Sequence, residues 1–166
     1  MLKSFFNQRL YIQLSPQRVL VRDPKAGRAV DEVPEIAVQQ GPGGKTSVLA
    51  IGTEARGAAA QADTRLYNPF AHPRSLISDF TLAEQLLKGL VRRLYGGVQV
   101  FRPNPVVVMH PMGEHAGGLT QVELRALREL ALGLGGRQVQ IWEGQALTDA
   151  QLLSGDFPPG GQLSKG

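Results

Sequence analysis

The chain has 166 residues, of which 42% are hydrophobic and 19% are charged, as expected for one globular domain or two small subdomains with a hydrophobic core. Eighteen Lys and Arg against fourteen Asp and Glu leave a net charge of +4, which is compatible with an anionic membrane surface or with nucleic acid and diagnostic of neither. The absence of cysteine excludes disulfides, thiol nucleophiles and thiolate zinc sites. No run approaches the roughly 20 apolar residues of a spanning helix. The start of the chain lacks a signal-peptide core, so we predict a cytoplasmic protein.

The first half of the chain predicts two β-hairpins. Four β-prone runs alternate with turn-forming residues, at 10–14, 18–22, 35–38 and 47–51. The first connection contains Pro16, which suits a turn better than a ladder position. The second connection, Gly41 to Gly44, has strong turn chemistry. Although Lys45 and Thr46 follow it, the G-x-x-x-x-G-K spacing of a phosphate loop is missing, so we interpret it as a turn.

Two amphipathic helices are predicted in the second half. The first begins with a capping box at Thr81, continues with leucines at i+4 spacing and ends near Gly96; Asp79 is expected to help start it. The second begins with the same box at Thr120, and Val122 is counted on its apolar face.

Strands are predicted on both sides of the second helix. The apolar run 105–109 precedes the helix and the run 138–142 follows it, which predicts a parallel pair with a right-handed crossover. The stretch 113–118 between strand and helix is predicted to be a loop insertion. The stretch 161–166 is short, polar and glycine-containing, and is predicted to be a frayed tail.

Several strings, in the correct order along the chain, resemble the MreB family of bacterial actin-like, rod-shape-determining proteins. Residues 120–129, TQVELRALRE, resemble the family helix T-x-V-E-R-R-A-I-R-E, and residues 77–80, ISDF, resemble the I-A-D-F or I-A-D-Y that opens the preceding helix. Residues 98–103 are similar to a segment with a hydrophobic loop, and residues 1–9 to the amphipathic start of many members. Together these matches cover most of the chain.

The resemblance implies an α/β fold that is half of an actin-like ATPase (RNase H-like) fold, with a mixed sheet, an N-terminal hairpin, a βαβ unit and a small inserted subdomain. Residues 1–30 and 75–160 would form the core of subdomain IA, residues 31–74 subdomain IB, and residues 161–166 a flexible tail. Because the family closes its nucleotide between two domains, the first domain alone would supply at most half of the contacts.

The family uses ATP and magnesium, but this sequence departs from the residues that serve them. Where members have a D-L-G-T-x-N-T turn for metal and phosphates, this chain has Gln13, Leu14, Ser15, Pro16 and Gln17. An amide replaces the carboxylate, and Pro16 removes an N–H donor. Gly144 stands where the family has a water-positioning glutamate. The resemblance therefore implies a degenerate ATP site with no catalytic residue and weak or lost nucleotide binding.

Two apolar segments are predicted to contact the inner membrane surface. At 100° per residue, the apolar side chains near the start fall within an arc of about 140°, which suits a short helix in the headgroup region. A second apolar tip, flanked by Arg102, matches the hydrophobic loop that the resemblance implies. The predicted membrane-binding residues are Met1, Leu2, Phe5, Phe6, Val100 and Phe101. The alternative is that these side chains pack on the domain.

No metal site is predicted. His110 and His115 enclose Glu114, but without a third protein ligand at a defined spacing two loop histidines are interpreted as surface residues.

The leading hypothesis is an MreB-like cell-shape protein without ATPase activity that is peripheral at the inner membrane. It would modulate actin-like filaments, such as those of full-length MreB, or bind other shape-determining proteins. One alternative is half of a split ATPase that binds ATP with a separate second-domain chain. A third reading, a basic nucleic-acid-binding adaptor, depends on net charge alone, so we predict no nucleic-acid partner.

Overall fold

The structure is a computed structural model that describes residues 8–97 and 104–166. Its strands are β1 Arg9–Leu14, β2 Val19–Asp23, β3 Arg28–Glu32, β4 Ile36–Gln40, β5 Thr46–Ile51, β6 Thr64–Tyr67, β7 Val106–Pro111, β8 Gln138–Glu143 and β9 Gln162–Lys165. Its helices are α1 Ala55–Ala58, α2 Phe80–Leu94, α3 Gln121–Gly133 and α4 Asp149–Ser154. Within these ranges the strands form a six-stranded sheet, in the order β3-β2-β1-β7-β8-β9, and a three-stranded sheet, in the order β5-β4-β6.

The larger sheet is mixed, with a parallel centre. β1, β2 and β3 are joined as antiparallel neighbours, and β4 and β5 are antiparallel as well, so both predicted hairpins are confirmed. β7 runs parallel to β1 on one side and to β8 on the other. The βαβ unit β7-α3-β8 was predicted from alternating strand and helix patterns and is also confirmed.

The main hydrophobic core lies between the larger sheet and the two long helices. Leu10, Ile12 and Leu14 of β1 point into it, because alternate residues of a strand point to the same face. Leu86 and Leu90 of α2 are fully buried against the same face. Burial of one such side chain contributes about 1.5–3 kcal/mol. This layer therefore fixes the sheet on which the candidate site is built.

Both long helices begin at capping side chains. The Thr120 hydroxyl accepts a hydrogen bond from the Glu123 amide in the predicted capping box. The N-cap of α2 is Asp79, whose carboxylate accepts a hydrogen bond from the Leu82 amide at 2.9 Å. The role expected for Asp79 is confirmed, whereas the predicted cap at Thr81 is wrong. The reason is that Asp79 has extended backbone geometry and a better acceptor, so the helix already includes Thr81.

The predicted frayed tail at 161–166 is wrong, because most of this stretch is a strand. β9 Gln162–Lys165 is antiparallel to β8, and Leu163 lies opposite Trp142. Leu163 also packs against a second apolar cluster, on the face of the sheet opposite α2 and α3. This cluster consists of Tyr11, Val108, Trp142, Leu147 and Leu152. Backbone pairing with an otherwise open strand edge outweighs the polar composition of the tail.

The three-stranded sheet falls inside the predicted small subdomain, residues 31–74. Glu32 at the end of β3 attaches it to the rest of the chain. The Glu32 carboxylate accepts hydrogen bonds from the amide and hydroxyl of Thr53 and forms an ion pair with Arg93 at 2.6 Å. β3 Arg28–Glu32 crosses the predicted boundary at residue 30, and the division into subdomains stays a prediction.

Candidate functional site

The turn between β1 and β2 is the predicted degenerate phosphate hairpin, and the polar groups of Ser15 and Arg18 are bonded to one another. The Ser15 amide donates to the Arg18 carbonyl oxygen at 3.0 Å, and the Arg18 amide donates to the Ser15 hydroxyl at 3.0 Å. Pro16 has no N–H, and its carbonyl oxygen accepts from the Asn68 amide group. Ser15, Pro16 and Arg18 therefore offer no backbone N–H to an anion.

A buried chain of hydrogen bonds begins at Gln13 and is called here the Tyr11–His110 network; it consists of Gln13, Tyr11, His110, Gly144 and Leu147. Gln13 Nε2 and the Leu147 amide each donate to the Tyr11 oxygen at 3.1 Å. The Tyr11 oxygen lies 2.6 Å from Nδ1 of His110, and Nε2 of His110 lies 3.0 Å from the Gly144 carbonyl oxygen. Gln13, Tyr11 and His110 are buried. The network thus links β1, β7 and the segment after β8.

The donors and acceptors around Tyr11 and His110 determine where the protons of this network lie. Because the Tyr11 oxygen accepts two hydrogen bonds, its own proton points to Nδ1 of His110, and the imidazole proton is on Nε2 and is donated to Gly144. Burial lowers the pKa of His110 below its ordinary value, an effect partly opposed by the Gly144 carbonyl. The network is therefore uncharged at neutral pH, and Gln13 contributes an amide to it.

Gly144 occupies the position that the resemblance assigns to a water-positioning glutamate, and the surroundings leave no space for a side chain. A Cβ atom at Gly144 would lie 2.6 Å from Cζ2 of Trp142. The Trp142 indole is held in place, since its N–H donates to the Gln145 carbonyl oxygen at 2.8 Å and its ring packs edge-on against Phe157. A larger residue at Gly144 would have to displace this ring.

A cavity of about 200 Å³ lies against the turn, smaller than the about 300–1,000 Å³ typical of small-molecule sites. Its apolar walls are Leu14, Pro16, Phe70, Leu76, Ile77, Pro111, Met112 and Leu127, and its polar atoms come from Ser15, His72, Ser75 and His115. Apolar walls do not stabilise the charge of phosphates. The cavity beside the turn is therefore lined mainly by apolar side chains.

Two other candidate motifs have structural roles. The residues Pro42–Gly44 form a 3-10 turn between β4 and β5, so the interpretation of this string as a turn is confirmed. His110 was expected at the surface but is 1% exposed in β7, because it continues the buried strand and both ring nitrogens have partners. Within residues 8–97 and 104–166, no three His, Asp or Glu side chains are grouped closely enough to hold a metal ion.

The predicted membrane-binding residues, Met1, Leu2, Phe5, Phe6, Val100 and Phe101, lie outside the described residues. The strands that follow these two segments, β1 and β7, are described and are neighbours in the sheet. Arg9 and Val106, at the starts of the parallel neighbours β1 and β7, lie opposite each other, and the Val106 amide donates to the Gln8 carbonyl oxygen at 2.9 Å. The chain therefore enters β1 and β7 at the same end of the larger sheet. No helix in the described ranges is long and apolar enough to cross a bilayer.

An exposed apolar patch lies at the first turns of α2 and α3. Phe80 is 40% exposed and Val122 is 78% exposed. The expected placement of Val122 on the core face is wrong, because at 3.6 residues per turn it lies about 140° around the helix from the buried Leu127. Phe80, Val122 and Ala126 line one shallow groove of about 280 Å³.

Sequence reasoning missed Tyr11 and placed His110 incorrectly. A signal was present for each: Tyr11 lies within a β-prone run, and His110 directly follows four apolar residues of a buried-type strand. Neither signal indicates that the two side chains meet, because that depends on the pairing of β1 with β7, which places Gln13 opposite His110.

Comparison with known sequences identifies relatives over most of the chain. A family model described as MreB/Mbl protein matches residues 7–150. Cell shape-determining protein MreB from Haemophilus influenzae is 29% identical over 144 residues, which are 86% of this chain and 39% of the relative. The Escherichia coli K12 protein of the same name is 30% identical over 148 residues, which are 86% of this chain and 41% of the relative. The chain thus spans about two fifths of the length of these relatives.

Solved structures show the same fold. MreB 5 of Spiroplasma citri bound to AMPPNP superposes with a TM-score of 0.62 at 21% identity, covering 81% of this chain and 38% of that chain. A non-polymerising mutant of MamK bound to AMPPNP gives a TM-score of 0.61 at 12% identity, covering 82% of this chain and 40% of that chain. The predicted half of an actin-like α/β fold is therefore confirmed. Since the family model matches residues 7–150, this chain belongs to the MreB/Mbl family.

Proposed function

We propose that this chain is an MreB-type cell-shape component that acts at the inner membrane surface and on actin-like filaments without hydrolysing ATP. The observation that supports this proposal best is the uncharged Tyr11–His110 network at the place where the family resemblance expects a carboxylate and a water-positioning glutamate. Phosphoryl transfer depends on metal ions, fixed charges and a positioned nucleophile. Gln13 and Gly144 supply neither a charged metal ligand nor a group that orients water.

Calorimetry tests the nucleotide part of the proposal. The purified chain is titrated with ATP and with ADP in the presence of magnesium, and an ATP-hydrolysing full-length MreB serves as the positive control. We expect no saturable heat from this chain at high micromolar protein. Saturable binding would contradict the proposal and would favour half of a split ATPase, which a separate second-domain chain completes.

Membrane contact is supported by the position of the starts of β1 and β7, which lie side by side at one end of the larger sheet. Two apolar segments that the sequence predicts to be membrane-binding precede these strands, and the described residues Gln8 and Val106 are hydrogen-bonded neighbours there. We propose that both segments bind one membrane surface, because two linked contacts strengthen each other through effective concentration.

Pelleting with anionic vesicles tests this contact. The native chain is compared with a variant that combines Phe5→Ala, Phe6→Ala, Val100→Ala and Phe101→Ala, and we expect the variant to stay in the supernatant. Leu153→Ala is the matched control, since it removes a 45% exposed leucine from α4. Equal pelleting of the native chain and the combined variant would exclude these segments as the membrane contact.

Filament contact is supported by the exposed patch of Phe80 and Val122. Phe80 and Val122 come from two different helices and line one groove, and contiguous exposed apolar side chains of this kind are typical of surfaces that another protein covers. Co-sedimentation with filaments of full-length MreB tests it. We expect Val122→Glu to abolish co-sedimentation and Leu132→Glu, at a 46% exposed position of the same helix, to leave it unchanged. The same loss in both variants, or in neither, would exclude the patch.

A further inference from the structure

A groove of about 530 Å³ lies between the three-stranded sheet and α2, away from the turn and from the exposed patch. One wall is the outer side of β5, and the other wall is the side of α2 that faces it. The residues that line these two walls include Val48, Ala50, Ile51, Gln85, Lys88 and Arg92. The groove is therefore bounded by a strand edge and a helix.

The strand wall has open hydrogen-bonding groups. β5 is the first strand in the order β5-β4-β6, so within the described residues its outer edge pairs with no other strand. An open edge presents a row of N–H and C=O groups, and proteins usually protect such edges with charge or proline. β5 reads TSVLAI, which contains neither, and its Val48 side chain is 40% exposed. The edge is thus suited to accept another strand.

Gly89 sets the distance between the two walls at one end. A Cβ atom at Gly89 would lie 2.5 Å from Cδ1 of Ile51, so glycine lets the helix approach the end of β5 closely. The groove is open beside Val48, where β5 is exposed. An extended peptide that lies between a strand edge and a helix is a recurrent mode of recognition, in which main-chain hydrogen bonds give affinity and the helix wall reads side chains.

The helix wall has an excess of positive charge. Lys88 and Arg92 line the groove with exposed side chains. Arg93 also lines it but is paired with Glu32 at 2.6 Å. The acidic residue that lines the groove is Glu54, beyond the end of β5.

The carboxylate that pairs with Lys88 belongs to Glu84, which is not among the residues that line the groove. Lys88 Nζ lies 3.4 Å from Glu84 Oε1, and this oxygen also lies beside Gly133 of α3. A solvent-accessible pair between residues four apart on a helix contributes little to stability, so Lys88 can exchange this partner for a ligand carboxylate.

From these observations we propose that the groove binds an extended acidic peptide segment of a partner protein, which adds to β5 as a new strand and places carboxylates against Lys88 and Arg92. The edge provides main-chain pairing, and the helix wall selects negative charge. This contact is separate from the proposed membrane and filament surfaces, so its failure would leave those proposals untouched.

The test uses the full chain and a fluorescein-labelled hexapeptide of alternating valine and aspartate, with binding measured by fluorescence anisotropy. In a paired strand, alternate N–H groups face the neighbouring strand and the others face away. Two further peptides are therefore N-methylated, one on each alternate set of residues. We expect one methylation pattern to weaken binding at least about tenfold and the other to leave it unchanged.

The contribution of charge to binding is tested with variants of the chain and with a second peptide in which lysine replaces each aspartate. We expect Lys88→Glu combined with Arg92→Glu, and separately the lysine peptide, to weaken binding at least about tenfold. Arg65→Glu, on the exposed strand β6 at the other edge of the same sheet, is the matched control and should leave binding unchanged. The proposal is overturned if the aspartate peptide does not bind, if both methylation patterns have the same effect, or if Arg65→Glu weakens binding as much as the groove variant.

Discussion

The Tyr11 hydroxyl and the His110 imidazole, from neighbouring parallel strands, share a 2.6 Å hydrogen bond in the interior of the protein. Tyr11 belongs to the apolar cluster on the sheet face opposite α2 and α3, and the bond continues through His110 to the Gly144 carbonyl oxygen. The site that the family resemblance assigns to nucleotide is thus crossed by a structural network. Its stability consequences can be measured without any ligand.

The first prediction concerns pH. Burial lowers the pKa of His110 below its ordinary value of about 6.5. Between the folded pKa and this value the folded state therefore binds fewer protons than the unfolded state, so His110 contributes stability that is present above about pH 6.5 and lost as pH falls through the folded pKa. We expect the free energy of unfolding in urea to decrease more steeply between pH 7.5 and 5.5 for the native chain than for His110→Gln. Parallel pH dependences for the two proteins would contradict this assignment.

The second prediction removes one hydroxyl group. In Tyr11→Phe, Gln13 and the Leu147 amide lose their acceptor and His110 loses a donor, so several buried polar groups are left unpaired. We expect a loss of about 1–3 kcal/mol in the free energy of unfolding. Tyr67→Phe is the control, because Tyr67 is 39% exposed, and its effect should stay within about 0.5 kcal/mol. Similar losses in both variants would show that the network is not stabilising.

The third prediction restores the family side chain at Gly144. Gly144→Glu is expected to destabilise the protein by about 1–3 kcal/mol, since a Cβ there meets the Trp142 ring at 2.6 Å. It is also expected to release no phosphate from ATP, because Gln13 and Pro16 are unchanged. Gly160→Glu is the matched control, as a Cβ at Gly160 meets no atom within 4 Å. Phosphate release by Gly144→Glu above that control would contradict this prediction, since a single substitution would then restore ATP hydrolysis.

The fourth prediction separates two candidate helix caps. Asp79→Ala is expected to cost about 0.5–2 kcal/mol, since its carboxylate accepts the Leu82 amide. Thr81→Ala is expected to be close to neutral, because Thr81 lies inside α2 at an exposed position. Thermal unfolding of both variants checks this order. The reverse order would mean that the helix begins at Thr81, as its sequence pattern suggests.

Local sequence patterns predicted the elements well where one short-range interaction dominates. The capping box at Thr120 is confirmed, because its partners are three residues apart and need no tertiary contact. The turn at Pro42–Gly44 is confirmed, because glycine accepts the left-handed backbone conformation found at Gly43 and Gly44.

Long-range contacts account for the errors. The stretch 161–166 has no strong strand signal, and it becomes a strand because β8 offers an edge and Trp142 an apolar surface. His110 resembles a loop histidine in sequence, and it is buried because β7 is flanked by β1 and β8. Val122 has an apolar side chain at a helical position, but the helix turns it away from the core.

The sequence by itself determined the family and the order of the predicted hairpins, helices and parallel strands, since each of these depends on residue identity and short-range spacing. It also led to the prediction, from the resemblance, that Gln13, Pro16 and Gly144 stand where the family has nucleotide-handling residues. Only the tertiary structure decided that Gln13 donates to Tyr11, that Trp142 occupies the space beside Gly144, and that β5 and α2 form the walls of a groove. The physical reason is that strand register and helix packing bring together residues far apart in the chain, and hydrogen bonds and van der Waals contacts act only at those short distances.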